Sequence, residues 1–163
     1  WTMQGNYHNI PMINGVPEMY GKQYKATNAR ADRRSMSFSV ELASAYPKEA
    51  CVDSWVRSYQ LKKSKLSIAD NFKLSEAKCA NIINFLTWGD VDTSKKGVVS
   101  INVKGVKAQL RYDANIFEPA IETIELTDKR LSNDWGDKIY RLSIKAKTTT
   151  KAGVYKYEIT KLK

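Results

Sequence analysis

The chain reads as an all-β protein, an antiparallel β-sandwich of stacked sheets forming one domain over residues 1–163. Three observations predict this. Apolar residues recur with period two in segment after segment. Turn signals separate those segments at intervals of roughly 8–12 residues, the spacing of sandwiches and barrels. Amphipathic helical pattern is nearly missing.

The elements follow in chain order. Ile10-Pro11-Met12-Ile13 is a short apolar strand, and Asn14-Gly15 behind it is a hairpin turn signal. Ala26 to Arg34 is polar, with Asn28, Arg30, Asp32, Arg33 and Arg34, and is expected to be an exposed loop. Met36, Phe38, Val40 and Leu42 alternate with Ser35, Ser37, Ser39 and Glu41, as in a half-buried strand. Leu66 and Ile68 alternate with Ser67 and Ala69, continuing to Asp70 and Phe72. Leu74–Ala80 has room for one helical turn. Ala80, Ile82, Asn84 and Leu86 interleave with Asn81, Ile83 and Phe85, so both faces are largely apolar and a central strand is expected. Val99, Ile101 and Val103 oppose Val98, Ser100 and Asn102, and Ile124 and Leu126 oppose Thr123 and Glu125. Tyr140, Leu142, Ile144 and Ala146 face one way, with Arg141, Ser143, Lys145 and Lys147 facing the other. Tyr155, Tyr157 and Ile159 close the series in a segment running to Lys163. Lys95-Lys96-Gly97, Lys104-Gly105 and Lys151-Ala152-Gly153 mark further turns.

Composition narrows the function. The chain has 163 residues, enough for one ordinary core. Its 27 Lys and Arg against 17 Asp and Glu give a net charge of +10, which points to an anionic partner. At 42% hydrophobic content, wholesale disorder is excluded. No apolar run approaches the roughly 20 residues of a membrane-spanning helix. The sequence opens Trp1-Thr2-Met3-Gln4, without initiator Met, basic n-region or apolar h-region, so Trp1 is expected to be a cut or a processed end. The C-terminal strand is expected to be a natural end.

Chemistry-bearing residues are few. One histidine, His8, leaves no room for a His pair or a multi-histidine zinc site. There is no phosphate loop, glycine fingerprint or nucleophilic triad motif, so no catalytic residue is assigned. Cys51 and Cys79 lack metal spacing. They read either as two thiols or as a disulfide, the latter implying an oxidising compartment. From Lys138 to Lys163 there are eight Lys or Arg and one acid, Glu158. Arg141, Lys145 and Lys147 share one polar face, and Lys156 lies on the outward face of the last strand. If those two strands pair, the domain carries a basic stripe, read either as a solvated face or as a surface for acidic glycan. The stripe has no aromatics on its own face for base stacking, which argues against nucleic acid.

Three segments resemble a known family. His8-Asn9, a short apolar strand, Asn14-Gly15 and Gly21 resemble the start of the C-terminal β domain of heparinase II/III-like polysaccharide lyases. Glu18 stands where that family commonly has Gln. Leu42-Ala43-Ser44-Ala45-Tyr46 looks like the family's strand ending in Ala-Tyr. Arg57, then Leu66-Ser67-Ile68-Ala69-Asp70-Asn71-Phe72, is similar to its Arg strand followed by one ending in Asp-x-Phe. The resemblance covers about Trp1 to Leu74.

The resemblance implies a two-domain lyase. A helical toroid would bind acidic polysaccharide and supply the Asn, Tyr and His groups of a β-elimination, in which a base takes the C5 proton of a uronate and the 4-O bond breaks. The present chain would be its C-terminal β domain, structural and interdomain in role, inactive alone. Its partners would be the toroid and the polysaccharide, and its location periplasmic or secreted in a bacterium. In some members the His of the His-Asn pair ligates zinc together with a His and an Asp just upstream. His8 matches that position, so zinc is expected in a full-length protein and none in these 163 residues alone. The alternative reading is a non-catalytic module that binds acidic glycan through Arg141, Lys145, Lys147 and Lys156.

Overall fold

The computed structural model describes residues 1–162, and Lys163, the last residue of the expected terminal strand, lies outside the described residues. In chain order the strands are β1 (Pro11–Met12), β2 (Thr27–Asp32), β3 (Ser37–Glu41), β4 (Val52–Lys62), β5 (Lys65–Leu74), β6 (Ile82–Thr87), β7 (Asp90–Asp92), β8 (Val98–Val103), β9 (Val106–Tyr112), β10 (Phe117–Glu125), β11 (Lys138–Ala146) and β12 (Ala152–Lys161). One α-helix, α1 (Lys129–Trp135), lies between β10 and β11. Two antiparallel sheets result, one ordered β1-β6-β11-β10 and one ordered β2-β3-β4-β5-β12-β9-β8-β7. The architecture is the expected all-β sandwich.

The core lies where the alternating residues of the two sheets meet. The smaller sheet contributes Ile83, Phe85, Leu142, Ile144, Ala146 and Phe117, all buried. The larger contributes Trp55, Ile68, Phe72, Leu110, Tyr155 and Tyr157. Phe117 packs edge-on to Tyr155 with centroids 4.8 Å apart, and Phe85 meets Tyr157 at 5.8 Å, so aromatic rings bridge the layers. Each such buried side chain stabilises the fold by roughly 1.5–3 kcal/mol relative to exposure. β6 is an interior strand between β1 and β11, as its two apolar faces require.

The turn chemistry works as expected at two hairpins. Asn14 and Gly15 both take positive φ, 53° and 78°, and Ile13 and Val16 exchange both backbone hydrogen bonds around them. Lys104 and Gly105 form the same kind of two-residue turn between the paired Val103 and Val106. In the inner strands β5 and β11 the register keeps one side-chain set inward.

Four local expectations need correcting. Thr27–Asp32, inside the expected loop Ala26–Arg34, is strand β2. It is a sheet edge that pairs only with β3, so its residues from Asn28 on are exposed and no apolar alternation is needed. Leu74–Ala80 holds no helix; Leu74 ends β5, and the one α-helix among the described residues is α1. Ala152 and Gly153, expected in a turn, lie within β12, where Gly153 passes against the Phe72 ring. Finally, β11 and β12 do not pair. β11 lies between β6 and β10, and β12 between β5 and β9, so Lys156 is on a different sheet from Arg141 and Lys145.

Candidate functional site

Two polar or aromatic constellations stand out. The first is a buried knot between the sheets. Arg57 on β4 and Asp70 on β5 are directly opposed in register. Arg57 donates from Nε to Asp70 Oδ1 and from Nη2 to Asp70 Oδ2, both at 2.7 Å, a two-pronged pair with 2% and 0% exposure. Trp55 Nε1 donates to the same Oδ1 at 2.9 Å, and Arg57 Nη1 reaches the Asn9 carbonyl at 2.8 Å. Burial opposes the Arg57 charge, but the charge and hydrogen bonds of Asp70 outweigh it and hold the guanidinium protonated above the ordinary arginine value. Asn9 in turn accepts from Leu86 N with its side chain at 2.7 Å, and Ile10 O accepts from Asn84 N. Two of the three segments that carry the family resemblance thus meet at the knot, and Tyr46 of the third donates to Pro11 O of the first. Asn9 and Asp70 are 61 residues apart in sequence, and that meeting is not legible in the spacing.

Asn14 extends this knot on the other side. Its side-chain amide donates to Ala50 O and Glu76 O, while its Oδ1 accepts from Lys78 N and Cys79 N. A turn residue thereby gathers two loops. Cys51 and Cys79, in those loops, are free thiols.

The second constellation is a cleft of about 520 Å³ at the open end of the sandwich. It is lined by Tyr7, His8, Asn9, Trp88 and Trp135 among others. Two elements place the two indoles. Trp88 follows β6 in a turn where Gly89 is needed, because a Cβ there would lie 2.5 Å from the Asn102 backbone oxygen. α1 presents Leu131 and Trp135, four residues apart and so on one helical face, to the same cleft. Asp128 caps α1 by accepting from Arg130 N at 2.9 Å, and Gly136 ends it with φ 82°. Trp88 and Trp135 meet edge to face at 6.2 Å. The signal for this helix was present: Asp128, then Leu131 and Trp135, then Gly136, is a capped helical turn with an apolar pair.

His8 sits at the lip of this cleft, exposed, with Nε2 3.1 Å from Thr2 O. Burial lifts the nearby Glu18 carboxyl above the usual carboxylate range, while the charge of His8 pulls it back. Among the described residues no group of three or more His, Cys, Asp or Glu is placed to hold a metal ion. A zinc on His8 would therefore need donors from outside these residues.

The basic residues are largely committed elsewhere. Arg141 pairs with Glu122 and lies over the Tyr7 ring at 4.6 Å, and Lys145 is 4.0 Å from Glu118. Both acids stand directly across the β10–β11 ladder. Lys147 Nζ donates to Ala114 O. Lys156 is on the outer face of the larger sheet, beside the Lys65–Glu158 pair. The structure does not bring these four together.

A comparison with protein-family profiles gives no match, and neither does one with curated protein sequences. Solved structures do match. A mutant of the heparan sulfate lyase HepC from Pedobacter heparinus superposes with a TM-score of 0.68 at 11% identity, over 94% of this chain and 24% of that one. A heparinase III gene product with methylated lysines gives 0.69 at 12% identity, over 98% of this chain and 24% of that one. A second structure of a heparinase III gene product gives 0.67 at 13%, over the whole of this chain and 25% of that one. At these identities the likeness establishes the fold, and the chain spans about a quarter of the length of the structures it matches. No helix among the described residues is long and apolar enough to cross a membrane.

Proposed function

We propose that this chain is the β-sandwich domain of a heparinase II/III-like polysaccharide lyase, structural and interdomain in role and inactive alone. The observation that supports the reading is the fold match to lyases over 94–100% of this chain but only about a quarter of theirs. The Arg57–Asp70–Asn9 knot accords with it, because the residues that resemble the family are the ones that fasten the His8-Asn9 segment to both sheets. In this reading a helical toroid elsewhere in the protein binds a uronate-containing acidic polysaccharide and carries the β-elimination. Its setting is the periplasm or exterior of a bacterial cell. His8 then contributes one ligand to a zinc completed by residues preceding Trp1.

The test is an elimination assay. The isolated chain, incubated with heparin, heparan sulfate or alginate, is expected to give no rise in the ultraviolet absorbance of unsaturated product, and the full reading frame is expected to give one. Turnover by the isolated chain overturns the inactive-alone reading. Absence of turnover in the full reading frame on every uronate polymer overturns the lyase reading. Metal analysis of the full-length protein, with and without His8→Ala, checks the zinc.

A further inference from the structure

We propose that the inner face of the larger sheet, at its β2–β3 and β4–β5 turns, is a docking surface for a segment of the same protein outside these 163 residues, an apolar ridge flanked by Asp or Glu. It rests on the reading of the chain as one domain of a longer protein.

The face is a stretch of core that this chain leaves uncovered. The larger sheet has eight strands and the smaller four. Phe38 and Tyr59 stand opposite each other on β3 and β4, with ring centroids 6.0 Å apart, and Leu61 and Leu66 stand opposite on β4 and β5. By alternation Leu61 shares a face with Trp55, and Leu66 with Ile68. Trp55 and Ile68 are buried between the sheets, yet Met36, Phe38 and Leu61 are 54%, 40% and 41% exposed. With Ala31, Tyr59 and Leu66 these three line a hollow of about 260 Å³. The alternation from Met36 to Leu42 is that of a strand with one buried face, and no layer among the described residues covers its first half. A contiguous apolar patch with a polar rim marks an interaction site.

Position, chain length and charge choose the occupant. The patch continues the plane of the inter-sheet core, so an element lying on it extends the second layer that the smaller sheet begins. The chain spans about a quarter of the structures it matches, so a protein of that size has most of its length available to supply the element. Arg33 and Arg34 in one turn and Lys62 and Lys63 in the other are exposed at the same end of the sheet, because Ser37 pairs with Gln60. None of the four forms an ion pair among the described residues. Asp32, the acid beside them, spends its carboxylate on Arg34 N and the Ser35 hydroxyl. Acidic residues flanking the docked ridge complement that rim. An anionic bilayer also suits apolar residues with a basic rim. Here the charged residues occupy the turns, and the apolar side chains lie behind them on one face, so a bilayer meets the charges first.

The test is oxidation of the full-length protein by hydrogen peroxide, followed at Met36 by mass spectrometry against an added methionine peptide. Met36 is expected to oxidise about tenfold more slowly than the peptide, and in the 163-residue chain alone at a rate close to it. In the full-length protein Leu61→Lys is expected to restore the fast rate, and Arg33→Glu with Lys62→Glu to raise it several-fold. Met36 as reactive in the full-length protein as in the peptide overturns the proposal, and so does protection that Leu61→Lys leaves intact. Two other occupants are read on the 163-residue chain. Sedimentation as a dimer that Leu61→Lys dissociates assigns the face to a second copy, and flotation with phosphatidylglycerol vesicles assigns it to a bilayer; either result overturns the proposal. Elimination activity is measured separately. Protection of Met36 without turnover fails the lyase reading alone, and turnover with Met36 unprotected fails the docking surface alone.

Discussion

The knot at Arg57 and the cleft at Trp135 are built from similar materials to opposite ends. Both combine an indole, a nearby cation and the His8-Asn9 segment. In the knot the indole N–H, both carboxylate oxygens and three guanidinium nitrogens are all engaged, and the pair is out of water. In the cleft an indole is half exposed and several donors are idle. Satisfied polar groups in a dry core fix how two sheets are held together. Unsatisfied ones beside open aromatic faces leave binding free energy for something else. Asn9 belongs to both regions, since its carbonyl accepts from Arg57 in the knot while the residue also lines the cleft.

The contrast can be broken most forcefully at Arg57. Arg57→Ala leaves Asp70 buried without its counter-charge and should cost about 3–5 kcal/mol, measured by urea unfolding. Replacing both residues by apolar ones of similar volume, Arg57→Met with Asp70→Leu, should recover most of that loss. If the single variant costs under about 1 kcal/mol, the knot is not what fastens the sheets.

Gly89→Ala comes next. Its Cβ meets the Asn102 backbone and the Val103 side chain at 2.5 Å, so the β6–β7 turn must shift. A loss of about 1–3 kcal/mol is expected, with a change in tryptophan fluorescence as Trp88 moves.

High pH probes the core from another direction. Burial holds the Tyr46 and Tyr157 phenols protonated above the usual tyrosine value of 10.0. The folded chain keeps protons that the unfolded chain releases above that value. Their contribution is therefore fully present below pH 10 and is lost as pH rises beyond it. Tyr46→Phe should flatten part of that alkaline decline in a pH series of unfolding midpoints, although it also removes the hydrogen bond to Pro11 O.

The smallest expected effect on stability is at the cleft itself. Trp135→Ala should change unfolding free energy by no more than about 1 kcal/mol, because half of that side chain is already in water. A loss of several kcal/mol would make the cleft another piece of core and erase the comparison.

The sequence was informative where one face of a strand is buried and the other is wet. Leu66 to Phe72 and Tyr140 to Ala146 announce themselves by alternation, whereas in the expected half-buried strand Met36 to Leu42 the apolar residues Met36 and Phe38 are 54% and 40% exposed. Asn14-Gly15 and Lys104-Gly105 announce their turns because the two-residue connection demands positive φ. β2 was silent, since an edge strand with both faces wet has no pattern to show. β4 was visible only through Arg57, whose charge breaks the apolar run that a buried strand would otherwise display. α1 is two turns long, too short for a periodicity, and only its caps mark it.

The candidate site was legible in part. His8 was singled out by being the only imidazole, and Asn9, Arg57 and Asp70 by resemblance. Trp88 and Trp135 were passed over, because 47 residues separate them and no local pattern connects a strand-end indole with one on a short helix. The basic residues were noticed for their density and then dispersed by topology.

By itself, then, the sequence determined the all-β class, most strand positions, the turn types and the excess of positive charge. Those follow from local steric rules and from a side-chain period that each segment carries alone. Tertiary structure decided which strand joins which sheet, that Lys156 faces away from Arg141, that Arg57 finds Asp70 and Asn9, and that two distant indoles share a wall. These are long-range pairings, chosen by the burial of whole faces against one another, and no segment contains the information about its partner.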